Sequence, residues 1–227
     1  FSFSAPAAGA SLSAATCTTA TSGAAAGTCT LNLTATVAGS YAITASVSGA
    51  VLDSGNPLTA VFVAGAAQAG SSTLAIDSGP KTANGSDAYT LTVTARDAQG
   101  NLVSNGSSSF SFSVSGTGAA LSASTCTTTS CTCSITLSAT VAGTYAVTAQ
   151  LNGQALGSGN PAQAVFVAGA ATAGSSRISI TPDGPKAANG VDGYGITVSA
   201  YDAQGNLVTG TANTFSFSAP GAGAALS

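Results

Sequence analysis

The residues able to do chemistry are few. The chain of 227 residues has no His, its seven acids are all Asp, and its cations are Lys81, Arg96, Arg177 and Lys186. General acid–base catalysis needs a group that changes charge near neutrality, and nucleophilic catalysis needs a base beside the nucleophile. With neither His nor Glu present, no catalytic and no cofactor-binding residue is assigned, and an enzyme is not expected. Asp97 and Asp202 each open the same seven residues, Asp-Ala-Gln-Gly-Asn-Leu-Val. An Asp to start a turn, a Gly that accepts positive φ and an Asn beside it make a tight reversal. Asp97, Gly100 and Asn101, with Asp202, Gly205 and Asn206, are therefore read as structural turn residues.

Of the five remaining acids, Asp77, Asp87, Asp183 and Asp192 recur beside Gly-Pro and Asn-Gly turns. Carboxylates at a domain junction could hold Ca2+, but calcium needs several converging oxygens and a dense Asp-x-Asp pattern is missing. They are read as solvated turn residues, and no metal ligand is assigned. The five cysteines fall into two groups. Aligning the repeats described below sets Cys17 opposite Cys126 and Cys29 opposite Cys133. Two equivalent pairs suggest disulfides Cys17–Cys29 and Cys126–Cys133, and so an oxidising compartment. Cys131 is left over: it could replace Cys133, stay a free thiol or cross-link chains. A thiolate metal site would want a fourth ligand that the sequence does not supply. Asn32, Asn84 and Asn105 each begin an Asn-x-Ser/Thr sequon, the acceptor pattern for N-glycosylation.

The elements that carry these residues are repeated. Phe-Ser-Phe-Ser stands at Phe1, Phe110 and Phe215, and Val-Ala-Gly-Ser/Thr-Tyr at Val37 and Val141. Ser-Gly-Asn-Pro begins at Ser54 and Ser158, and residues 60–67 are repeated without change at 164–171. The period of roughly 105 residues is that of an independent domain and too long for a solenoid. The Ala/Gly/Ser stretches at 65–72 and 169–176 read as short linkers. The chain then divides into 1–65, the later part of one domain; 70–168, a complete domain; and 174–227, the early part of the next. The two partial domains are complementary, overlapping only at 1–13 and 215–227.

Apolar and polar residues alternate at 89–95, 110–114, 135–141 and 145–151, with further short strands at 73–76, 162–167 and 215–218. Period two with Gly, Asn and Pro at intervals of about ten residues reads as a β-sandwich. Tyr41 and Tyr145, each at a strand start, are placed as tyrosine corners or as large residues filling the sandwich end. Charged residues are 5%, against roughly 25% in an average soluble protein. The surface must be Ser, Thr, Gly, Asn and Gln. A net charge of −3 argues against nucleic acid. The apolar runs at 60–67 and 164–171 are too short for a membrane-spanning helix.

Residues 84–101, Asn-Gly-Ser-Asp-Ala-Tyr-Thr-Leu-Thr-Val-Thr-Ala-Arg-Asp-Ala-Gln-Gly-Asn, resemble the first half of bacterial immunoglobulin-like domains of the invasin/intimin type. Gly-x-Tyr-x-Ile/Val-Thr-Ala at 39–45 and 143–149 is similar to the later half. Leu102 and Leu207 stand where that family usually has Pro. The resemblance implies an all-β chain of tandem immunoglobulin-like sandwiches, one complete and two partial, in an extracellular stalk of a bacterial surface adhesin. Its partners would be further copies of the domain in the same chain. Alternatively, neighbouring chains in a secreted fibre would complete each other's sandwich. A carbohydrate- or receptor-binding module is a third reading, with Tyr201 as the exposed aromatic.

Overall fold

A computed structural model describes residues 1–4, 8–181, 183–218, 221 and 226, with only the backbone at Phe3 and Ser4. The expected overlap of 1–13 with 215–227 includes residues 5–7, 219, 220, 222–225 and 227, which lie outside the described residues. In chain order the first strands are β1 (Ser2–Ser4), β2 (Ala10–Leu12), β3 (Leu33–Ala35), β4 (Gly39–Val47), β5 (Ala50–Val51) and β6 (Leu58–Phe62). Strand β4 is flanked by β1, β5 and β6, while β2 and β3 form a separate antiparallel pair.

The middle of the chain supplies β7 (Thr73–Ile76), β8 (Lys81–Thr82), β9 (Ala88–Thr94), β10 (Ser109–Val114), β11 (Ala119–Leu121), β12 (Thr125–Thr127), β13 (Thr132–Ala139), β14 (Gly143–Leu151), β15 (Gln154–Ala155) and β16 (Ala162–Val167). They form two sheets. One runs β12-β10-β14-β16-β8 with β15 on β14; the other runs β11-β13-β9-β7. The alternation in the sequence decides which side chains meet between them. On β9, Tyr89, Leu91 and Val93 face Leu137, Ile135 and Cys133 of β13, leaving the β-branched Thr residues on the other side of the pleat. On β10, Phe110 and Phe112 pair with Leu151 and Ala149 of β14. Residues of both sheets join one buried cluster, with Leu91, Val93, Phe110 and Val147 fully covered. Phe166 lies edge-on to Tyr89, at 5.2 Å between ring centroids, and to Tyr145, at 5.9 Å.

Strands β17 (Arg177–Thr181) and β18 (Gly195–Ser199) form an antiparallel pair. Residues 215–218, expected as a strand, make no ladder. The Phe-Ser-Phe-Ser of β10 is held by β12 and β14. The stretch 65–72, read as a short linker, makes defined bonds to its surroundings. The Gln68 amide donates to the Arg96 carbonyl, and the buried Ser72 hydroxyl donates to the Gln68 carbonyl.

Disulfides join Cys17 to Cys29 and Cys126 to Cys133. The second pair connects β12 and β13, which belong to different sheets, so it staples the two layers beside the core. Closing so short a loop contributes about 2.5 kcal/mol in the chain-entropy account. Replacing both Cys126 and Cys133 by Ser is expected to lower stability by about that amount, measured by urea unfolding without reductant, so that Cys17–Cys29 stays closed.

Candidate functional site

The repeated Asp turn is the most constrained polar feature of the chain. The Asp97 amide donates to the Asn101 carbonyl and the Gly100 amide to the Asp97 carbonyl, closing the reversal. Gly100 sits at φ +86°, which a side chain would strain. One Asp97 carboxylate oxygen, Oδ1, accepts from the amides of Gln99 (3.0 Å) and Asn101 (2.8 Å). The other, Oδ2, accepts from Asn101 Nδ2 and from the Gly65 amide, both at 2.9 Å. Asn101 then reaches out of its own turn. Its Oδ1 accepts from the Ala38 amide at 2.9 Å and its Nδ2 donates to the Thr36 carbonyl at 3.0 Å. A turn attached to β9 is thereby pinned to the loop between β3 and β4.

The second copy repeats these bonds and adds one, from Asn206 Nδ2 to the Ala83 carbonyl at 3.4 Å. Asp202 Oδ1 accepts from the amides of Gln204 and Asn206, and Oδ2 accepts from Asn206 Nδ2 and the Gly169 amide. Asn206 Oδ1 accepts from the Ala142 amide at 2.8 Å, and its Nδ2 donates to the Thr140 carbonyl at 3.0 Å. The receiving loop is Thr-Val-Ala-Gly in both places. It is fixed from the other side by the strand-start tyrosine. Tyr41 donates its hydroxyl to the Val37 carbonyl at 2.7 Å, and Tyr145 to the Val141 carbonyl at 2.8 Å. Each buried Tyr holds the middle residue of the loop, and the Asn reads the residues on either side of it.

Asp97 and Asp202 are covered, at 2% and 1% exposure. The Asn101 amide holds the Asp97 carboxyl down at about 2, against the opposing effect of burial and with help from the amides of Gly65, Asn101 and Gln99. At Asp202 burial pushes the carboxyl up, but the Asn206 side chain and the amides of Gly169, Asn206 and Gln204 outweigh it and bring it below its usual value. A folded pKa below the unfolded value stabilises above the unfolded pKa and loses that contribution as pH falls through the folded one. Stability is therefore expected to be flat from about pH 5 to 8, where nothing in this pair titrates, and to fall from about pH 4 towards 2. The thermal midpoint across that range checks this.

The other expected site residues are arranged as follows. Lys81 Nζ lies 3.6 Å from Asp77 and 4.0 Å from Asp87. Those carboxylates also accept from the Thr90 and Thr82 amides. Among the described residues no group of three or more His, Cys, Asp or Glu could hold a metal. Cys131 is a half-buried thiol at φ +65° whose carbonyl accepts from the Ala95 amide. Tyr201, expected to be exposed, is half-buried, with the Arg177 guanidinium 5.1 Å over its ring. Leu207, facing it across an isolated bridge, closes the same turn. Open grooves of about 440 and 710 Å³ lie at Gly65 and at Gly169, and no aromatic ring lines either. No helix among the described residues is long and apolar enough to cross a membrane.

The receiving residues Thr36, Ala38, Gly65 and their counterparts do not stand out in the sequence as parts of a site. A signal is present: Thr-Val-Ala-Gly and Val-Ala-Gly-Ala recur in register with the Asp turn. Nothing local says that these segments meet.

Residues 71–167 match the family described as bacterial Ig-like domain (group 1). Comparison with curated proteins gives no match. Among solved structures, the Escherichia coli adhesin FdeC superposes with TM-score 0.59 at 23% identity, over 92% of this chain and 64% of that one. Invasin, a bacterial integrin-binding protein, gives 0.51 at 26% identity over 79% and 35%. InvD of Yersinia pseudotuberculosis gives 0.52 at 21% over 78% and 55%. This chain spans less than two thirds of the length of each.

Proposed function

We propose that the chain is a structural segment of a bacterial surface adhesin, a stalk of tandem domains held in fixed relative orientation, starting from the match of residues 71–167 to the family described as bacterial Ig-like domain (group 1). The domains are drawn at 1–65, 70–168 and 174–227. The observation that carries the reading is the repeated joint. In both places an Asp–Asn turn of one domain closes on the Thr-Val-Ala-Gly loop of the domain before it and on the Gly65 or Gly169 amide at the junction between them. A flexible tether would not build the same set of bonds twice. Disulfides suit an extracellular location, and a surface with few charges changes little with salt or pH. The role is to project, and no residue is given a catalytic part.

The experiment is labelling of intact cells that make the parent protein, with antibody against residues 71–167. Labelling without permeabilisation supports the reading, and labelling only after permeabilisation would sink it.

A second reading, completion of sandwiches between neighbouring chains in a fibre, draws on β17 and β18. Ile178 and Ile196 are 66% and 43% exposed, whereas Leu74 and Leu91 at the matching places of the central domain are 4% and 0% exposed. A second sheet is expected to cover them. A chain of 21.3 kDa that stays monomeric by light scattering at high concentration would count against completion by a neighbour.

A further inference from the structure

We propose that Asn84 is an acceptor for N-linked glycosylation. Three sequons begin at Asn32, Asn84 and Asn105, and the structure separates them. The Asn105 side-chain amide donates to the Ala64 carbonyl at 3.0 Å, across a domain joint. A sugar on that nitrogen would break the contact. Asn32 leads directly into β3, where Leu33 and Thr34 are paired with β2. The Thr34 hydroxyl, which a transferase would have to read, points back to the Ser11 carbonyl. A ladder strand cannot be drawn into a transferase cleft without breaking its pairing.

Asn84 differs on each count. It is exposed, in the turn between β8 and β9. Its Oδ1 accepts from the amides of Ser86 (2.8 Å) and Asp87 (2.7 Å). That fixes the side chain and leaves Nδ2 pointing away from the turn with no bond to the described residues. The Ser86 hydroxyl likewise makes no bond to them. The following domain contains its own control. Asn189 makes the same two bonds, to the amides of Val191 and Asp192. Val191 stands where Ser86 does, so the turn does not need the hydroxyl. Ser86 completes a sequon without serving the fold.

The sugar donor is a glycosyl phosphate, either nucleotide-linked or lipid-linked. The Asn84 nitrogen forms a bond to the anomeric carbon, and the anomeric C–O bond breaks, its electron pair leaving with the phosphate. The amide proton passes to a base of the transferase. Neither this step nor its test uses the stalk reading.

The test treats the folded chain in two arms. One uses a soluble N-glycosyltransferase with a uridine diphosphate hexose, the other a membrane oligosaccharyltransferase with a lipid-linked oligosaccharide. Trypsin cuts after Lys81 and Arg96, so peptide 82–96 carries Asn84 and no other sequon. The expected result is that this peptide gains the sugar mass in one arm, which identifies the donor, and that peptide 97–177 with Asn105 stays bare. Asn84→Gln and Ser86→Ala both abolish the gain, and Ser86→Ala leaves the unfolding midpoint unchanged. A bare 82–96 peptide in both arms, or modification of Asn32 or Asn105 in preference to Asn84, overturns the proposal.

Discussion

Replacing Asn206 by Ala is expected to weaken the joint after the central domain by about 2–4 kcal/mol. Four partners lose their bond at once: the Ala142 amide, the Thr140 and Ala83 carbonyls and the Asp202 carboxylate. Asn206 is buried, so water does not readily take its place. A neutral hydrogen bond contributes about 1 kcal/mol net, a bond to a charged group about twice that, and neighbours in one network do not add simply. Hydrogen exchange at the Ala142 amide reads the loss directly. For about 3 kcal/mol the amide should exchange roughly a hundredfold faster. Amides in the middle of β9 and β13 should keep their protection. Asn206→Asp should fare no better than Ala, because it sets a second carboxylate beside Asp202 and removes the donor to Thr140. Asn101→Ala is expected to act in the same direction on the joint before the central domain, where the same bonds recur.

The largest loss of stability is expected from Phe166→Ala, at about 3–5 kcal/mol. Phe166 is 2% exposed and meets both buried tyrosines edge-on. Removing its ring leaves a cavity between Tyr89 of one sheet and Tyr145 of the other, and the edge contacts go with it. Phe62 occupies the matching place beside Tyr41, at 5.8 Å between centroids, but it is only half-buried. Phe62→Ala should therefore cost clearly less than Phe166→Ala. Urea unfolding of both variants, followed by tyrosine fluorescence, measures the difference. Equal costs would mean that burial of the ring is not what sets its contribution.

Much of the fold can be read from alternation. Tyr89, Leu91 and Val93 on one strand and Ile135 and Leu137 on the other show period two, and the structure pairs them. The repeat also points to the equivalent cysteines, because two thiols held at the same two positions of successive domains are placed to meet in both. Residues 215–218 show where this kind of reading stops. They carry the same Phe-Ser-Phe-Ser as β10 yet form no ladder, because a strand is made by its partners as much as by its own pattern. Tyr201 shows the same limit. Its neighbours in sequence leave it open, and Arg177, far from it in the chain, covers it.

The joint is legible only in part. The Asp–Gly–Asn turn announces a tight reversal, and a turn of that kind accounts for Asp97 Oδ1 and the Gly100 φ. It gives no hint that Asp97 Oδ2 and the Asn101 side chain also bind Gly65, Thr36 and Ala38, which lie some tens of residues earlier. Sequence distance of that kind is bridged by topology alone: the corner Tyr41 fixes the Val37 carbonyl, which presents Thr36 and Ala38 to Asn101. The stretch 65–72 hides its role for the same reason. Its Ala, Gly and Ser residues look featureless in sequence because backbone amides make most of the contacts there.

Small-angle X-ray scattering of the chain, with and without the paired substitution Asn101→Ala and Asn206→Ala, tests most directly whether the Asp–Asn turns hold successive domains in line. The unmodified chain is expected to scatter as one extended particle with its domains in a single arrangement. The double variant, still folded by circular dichroism, should scatter as domains that reorient freely, with a broader distribution of dimensions. Identical curves from the two proteins would contradict this, because the turns would then have no part in fixing the orientation of one domain on the next.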